Sequence, residues 1–161
     1  MTSNLGQEDL AALGRIALAS TGIEMVAEAM IWELLGVEEP VGRTMTERAR
    51  PSWFADRLEQ LAKRVELEGS LADDVTEFAR GARTMFTVRN HNLHGIWVSL
   101  EEGKAVRLRS VLVDGREGPE FQAEVAVAGT GQLAKVAEVM EVFARAGHQL
   151  LESVRAARGS A

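Results

Sequence analysis

The chain has no cysteine and no tyrosine, and only three prolines and three histidines among its 161 residues. Without cysteine there is no disulfide, no thiolate metal ligand and no thiol nucleophile. Three histidines without thiolates are a poor basis for a structural zinc, so neither a metal nor a cofactor is expected. Aromatic residues make up 5% of the chain, which argues against a broad platform on which successive bases stack. Basic groups are also scarce, 18 against 24 acidic ones for a net charge of -6. A globally acidic chain does not coat nucleic acid non-specifically, because that affinity comes from phosphate neutralisation. A local basic cleft remains compatible with the balance. No run approaches about 18 uninterrupted apolar residues, and no basic segment precedes an apolar stretch at the N-terminus. The expectation is therefore no membrane span, no signal peptide and a cytoplasmic location.

What is present is an ordinary globular mixture, 46% hydrophobic and 26% charged, sized for a single domain over 1–161. Leu10, Leu13, Ile16, Ile23, Ala27, Met30 and Leu34 fall at helical spacing and predict a helix over 7–35. Gly36 is its stop signal. Pro40 and Gly42 mark 37–50 as a connector. Pro51 suits a first helical turn, and Phe54, Leu58, Leu61 and Val65 give a second helix over 51–66. Ser70, with Asp73 three residues on, is read as the cap of a third helix that runs to about His94. A fourth helix covers about 132–156, with Leu133, Val136, Val139, Met140, Phe143, Leu150 and Val154 in its stripe.

Between the last two helices the period changes to about two, as in Val106-Arg107-Leu108-Arg109 and Phe121 to Val127. Glu102-Gly103 signals a turn and Gly129-Thr130-Gly131 a break. The alternation slips between Leu108 and Val111, which predicts a bulge. The expected fold is all-α, a four-helix up-and-down bundle with a β-hairpin inserted at about 96–128, before the last helix.

One residue conflicts with its pattern. At about 100° per residue, Arg89 lies only about 20° from Phe78, inside the apolar stripe of the third helix. An unpaired buried guanidinium is costly, so Arg89 needs an anionic partner or an opening onto a polar cleft. Asn90 and His94 sit on the flank, about 120–160° from Phe78. A fixed cation, an amide and a group titrating near neutrality are chemistry suited to a phosphodiester. Arg80, Arg83 and Arg89, with Arg107 and Arg109, are the basic groupings nearby.

Arg89-Asn90-His91-Asn92-Leu93-His94 resembles the R-N-x-x-x-H signature of HEPN domains, an R-x-x-x-x-H motif near a helix end in a helical bundle. Leu13-Gly14-Arg15-Ile16, Ile23-Glu24 and Ile31-Trp32-Glu33-Leu34-Leu35 are similar to the opening helix of bacterial HEPN-like proteins. There an acidic residue can face the motif. Trp97 is similar to the H-G-x-W ending of some of them. The resemblance implies a homodimeric, metal-independent endoribonuclease of a toxin–antitoxin or phage-defence system, with RNA as substrate and an antitoxin protein as partner. In that role His94 acts as general base or acid, Arg89 holds the phosphate and Asn90 orients one of them. Glu24 pairs with Arg89 when no substrate is bound. Two other readings stand beside it: a non-catalytic HEPN-like module that binds a nucleotide, RNA or protein, and a plain helical dimerisation domain with a structural Arg89–Glu24 pair.

Overall fold

Ile16, Ile23, Met30 and Ile31 recur along one segment at helical spacing. In the computed structural model they lie fully buried on helix α1 (Gln7–Leu35). The structure describes residues 5–99, 105–115, 118–128 and 131–159. The chain is mainly helical, and α1 packs against α3 (Pro51–Ala62), α4 (Leu71–Leu93) and α5 (Gln132–Gly159). Leu58, Val75, Met140 and Val154 from those three helices complete the core. Each such side chain stabilises the fold by about 1.5–3 kcal/mol when removed from water.

Helix α1 ends as expected. Gly36 takes the left-handed conformation at φ 66, and the N–H groups of Gly36 and Val37 donate to the carbonyls of Glu33 and Trp32. This satisfies carbonyls that a helix end leaves open. The same helix is the one segment among the described residues that is long and apolar enough to be weighed as a membrane span. By length and composition α1 can cross a bilayer, with a mean hydropathy of 1.4 over 18 residues. Polar residues such as Ser20 and Glu24 interrupt its apolar runs without much lowering their mean. In this fold one side of α1, with Ile16, Ile23, Met30 and Ile31, is covered by the other helices, while Leu18 and Met25 stay exposed.

The segment 37–50 is not a simple connector. Glu39–Thr46 forms a short helix, α2. Pro40 lies in its first turn, where a missing N–H costs nothing. Gly42 is there because a Cβ would stand 2.5 Å from the Trp32 indole. Ser70 precedes α4 but makes no capping bond, and its hydroxyl donates to the Asp74 carboxylate at 3.1 Å instead. Leu10 and Val139, expected in apolar stripes, are 48% and 55% exposed.

The expected hairpin region holds three antiparallel strands, β1 (Ile96–Ser99), β2 (Ala105–Gly115) and β3 (Gly118–Ala128), in the order β1-β2-β3. The β2–β3 register runs unbroken from Ala105↔Ala128 to Gly115↔Gly118. No bulge forms between Leu108 and Val111, so the slip in alternation has no counterpart in the backbone pairing. The turn expected at Glu102-Gly103 and the break at Gly129-Thr130 lie outside the described residues.

The up-and-down order is also corrected. Arg15 pairs with Glu141, and Glu33 with Arg155, so the first and last helices run in the same direction. Helix α2 is an element between α1 and α3 that a four-helix count omits. Helices α4 and α5 interlock through Phe78 and Phe143, whose rings stack 5.0 Å apart and 4° from parallel. A Cβ on Gly147 would stand 2.5 Å from the Phe78 ring, and one on Gly81 would stand 2.5 Å from the Phe143 ring. Gly147→Ala is therefore expected to lower stability in urea denaturation by about 1–3 kcal/mol, through overpacking. Gly14→Ala, whose Cβ meets nothing within 4 Å, is expected to raise it by about 0.5–1 kcal/mol.

Candidate functional site at the end of helix α4

A helix that ends inside a protein leaves its last carbonyls without helical partners. At the end of α4 the donors come from the sheet. The Trp97 indole N–H on β1 donates to the Asn92 carbonyl at 2.8 Å. The Arg107 guanidinium on β2 donates to the His91 carbonyl. Trp97 and Arg107 are cross-strand partners, and both side chains are buried. The cation at a helix C-terminus is also favoured by the helix dipole. Within the last turn the Asn92 amide donates to the Val88 carbonyl at 2.8 Å, and the His94 N–H to the Asn90 carbonyl at 3.1 Å. The segment that carries the Arg-Asn-x-x-x-His motif is thus fixed by the strands that follow it.

Arg89 is half-buried, as its place in the apolar stripe predicts. Its Nη1 donates to the Asn90 side-chain oxygen at 2.9 Å, while its Nε is buried with no acceptor. Among the described residues no carboxylate lies in ion-pair contact with it. Glu24 of α1 is the acidic group that feels its charge. Burial raises the Glu24 carboxyl above the usual carboxylate range, while the Arg89 charge and the Ser20 hydroxyl, at 3.5 Å, pull it back only in part. The charge of Glu28 pushes it further up. The Glu28 carboxylate itself accepts from the Thr46 hydroxyl of α2. Ser20 stands out in the sequence only as a small polar break in an apolar face.

The structure thus brings Arg89, Asn90 and Glu24 into one polar cluster between α1 and α4. His94 does not join it. It takes the cap position of α4 with an exposed side chain, whose ring makes no hydrogen bond to the described residues. Arg80 and Arg83, expected to add positive charge, are occupied by α3. Arg83 binds Asp56 at 2.7 Å and Glu59 at 3.3 Å, and Arg80 lies 3.7 Å from Glu59. The Arg109 side chain lies outside the described residues. Arg107 proves to be a helix cap, a role its alternating strand pattern gives no sign of. Among the described residues no group of three or more histidines and carboxylates is placed to hold a metal ion.

Comparison of the chain with protein-family models, curated proteins and solved structures finds no match.

Two outcomes follow from this geometry. Trp97→Phe keeps the ring but leaves the Asn92 carbonyl unbonded, at an expected cost of about 1–3 kcal/mol. Amide exchange is expected to accelerate in the last turn of α4 before it does in α1. Glu24 supplies a pH signature. Because its carboxyl is raised in the folded chain, its contribution to stability is full below the ordinary glutamate range and declines as pH rises through the folded value. Glu24→Gln removes that slope, so the variant is expected to gain stability relative to the wild type as pH is raised from about 4 towards neutrality. Paired denaturation curves across that interval check the sign.

Proposed function

We propose that the chain is a HEPN-type, metal-independent endoribonuclease acting as a homodimer in a toxin–antitoxin or phage-defence setting. RNA is its cytoplasmic substrate and an antitoxin protein its partner. One observation carries this reading: among the described residues, a half-buried guanidinium oriented by Asn90 has a buried Nε without an acceptor and no carboxylate in contact. Among the described residues no carboxylate, Glu24 included, lies in ion-pair contact with Arg89, and the Arg89 charge lowers the Glu24 carboxyl less than burial raises it. Arg89 is therefore short of an anion, and a phosphate group supplies one bidentately.

In this mechanism His94 takes the proton of a ribose 2′-hydroxyl. The 2′-oxygen forms a bond to the adjacent phosphorus, and the bond from phosphorus to the 5′-oxygen breaks. The leaving oxygen takes its proton from an imidazolium, leaving a 2′,3′-cyclic phosphate. Arg89 neutralises the charge that develops on the non-bridging oxygens, and Asn90 holds its guanidinium plane. The exposure of His94 leaves it open to a strand from solvent and to a second copy of the chain.

The second reading, a non-catalytic nucleotide- or protein-binding helical dimer module, is favoured by the exposed His94 ring, which makes no hydrogen bond to the described residues of the Arg89 cluster. One experiment divides the two. Purified protein is incubated with mixed RNA in EDTA, beside His94→Ala and Arg89→Ala. Cleavage that leaves cyclic phosphate ends is expected, with each variant slower by at least about a hundredfold. Equal cleavage by all three proteins removes the catalytic role. Absence of cleavage, together with Arg89-dependent thermal stabilisation by nucleotide, selects the binding module.

A further inference from the structure

We infer that the hollow between α2 and α3 is a binding site for a small planar aromatic molecule that carries an anionic group. Two adjoining spaces make up this hollow. The outer one, about 580 Å³, is open and is lined by Arg48, Arg50, Ser52 and Trp53 among others. The inner one, about 220 Å³, is more enclosed and lies between Trp32, Trp53, Thr46 and Arg57. Met45 and Trp53 border both. Together they fall in the range of small-molecule sites, about 300–1,000 Å³.

The charge of the lining selects an anion. Asp56, the carboxylate in the outer wall, is held by Arg83 at 2.7 Å. Arg48 has only a loose contact with Glu47, at 3.7 Å, and is 94% exposed. Arg50 has no carboxylate in ion-pair contact among the described residues. Within a chain of net charge -6, two exposed arginines thus stand at this mouth beside one loosely placed carboxylate, Glu47, a local cationic excess that concentrates anions. The start of α3 adds little by direct bonding, because Pro51 has no N–H and the Trp53 N–H already donates to the Arg50 carbonyl at 2.9 Å.

The inner walls select an aromatic ring. Two indoles border a narrow space, and the Arg57 guanidinium lies over the Trp53 ring at 5.2 Å. The Trp32 indole N–H is buried away from the hollow's accessible space, so this wall offers the apolar body of the ring and not its donor. Met45 is flexible and half-exposed, and it can adapt to the ring that passes it. None of these residues belongs to the Arg89 cluster, so this inference stands or falls separately from the nuclease.

The probe is 1-naphthyl phosphate, titrated calorimetrically into the full chain, with 1-naphthol and inorganic phosphate as its two halves. Saturable submillimolar binding is expected, with each half weaker by about tenfold or more. Arg50→Ala and Arg48→Ala change exposed side chains and leave the core intact, and each is expected to weaken binding by about tenfold. Trp53→Leu, checked for helical content, is expected to weaken naphthyl phosphate while leaving phosphate alone unchanged. Absence of saturable binding overturns the inference. So does binding that the arginine double variant leaves unchanged, or phosphate binding as tightly as the whole probe.

Discussion

The last carbonyls of α4 need donors, and this requirement governs the most informative part of the molecule. Trp97 and Arg107 meet it from two paired strands, by bonding to the Asn92 and His91 carbonyls. A helix that frayed there would scatter Arg89, Asn90 and His94 over many conformations. Capped from outside, the segment holds Asn90 against Arg89 and places His94 at the helix boundary with its ring in solvent. The sheet is thus part of the site without supplying a group to its chemistry. Its role is to decide where α4 stops, and with that the direction in which the motif faces.

The electrostatics of the molecule divide its arginines into two groups. Arg15 and Arg155 link α1 to α5, and Arg83 links α4 to α3, each through a carboxylate of the facing helix. Exposed pairs of this kind add little stability individually, but they fix register and direction. Arg89, Arg48 and Arg50 are not held in this way. They sit beside an unbonded interior edge in one case and beside an open hollow in the other. Among the described residues Arg89 and Arg50 have no carboxylate in ion-pair contact and Arg48 has only Glu47, at 3.7 Å, which in a chain with an acidic excess is an informative exception.

Much of this was legible from residues alone. The bounds of α1 follow from its apolar period and from the left-handed glycine that ends it. Arg89 declared itself by standing where an apolar side chain belongs. Helix α2 was hidden because Pro40 and Gly42 normally interrupt helices; one lies in a first turn and the other makes room for the Trp32 ring. The loss of Arg80 and Arg83 to α3 was invisible because their partners are brought near only by tertiary packing. The strands were legible in period, but their register was not. A one-residue slip in alternation has the same sequence signature whether or not the backbone bulges. The pairing of His94 with Arg89 came from the motif's resemblance to a known signature, whereas spacing already set His94 on a flank of α4 away from Arg89.

The reciprocal contact between α4 and α5 has a consequence for how this sequence can drift. Phe78 occupies space that a side chain at 147 would need, and Phe143 occupies space that one at 81 would need. Neither glycine can enlarge while its aromatic partner keeps its size. Divergent descendants of this chain should therefore show compensated exchanges, a bulkier residue at 81 or 147 accompanied by a slighter one at 143 or 78. The two pairs form a lock whose halves must be recut together.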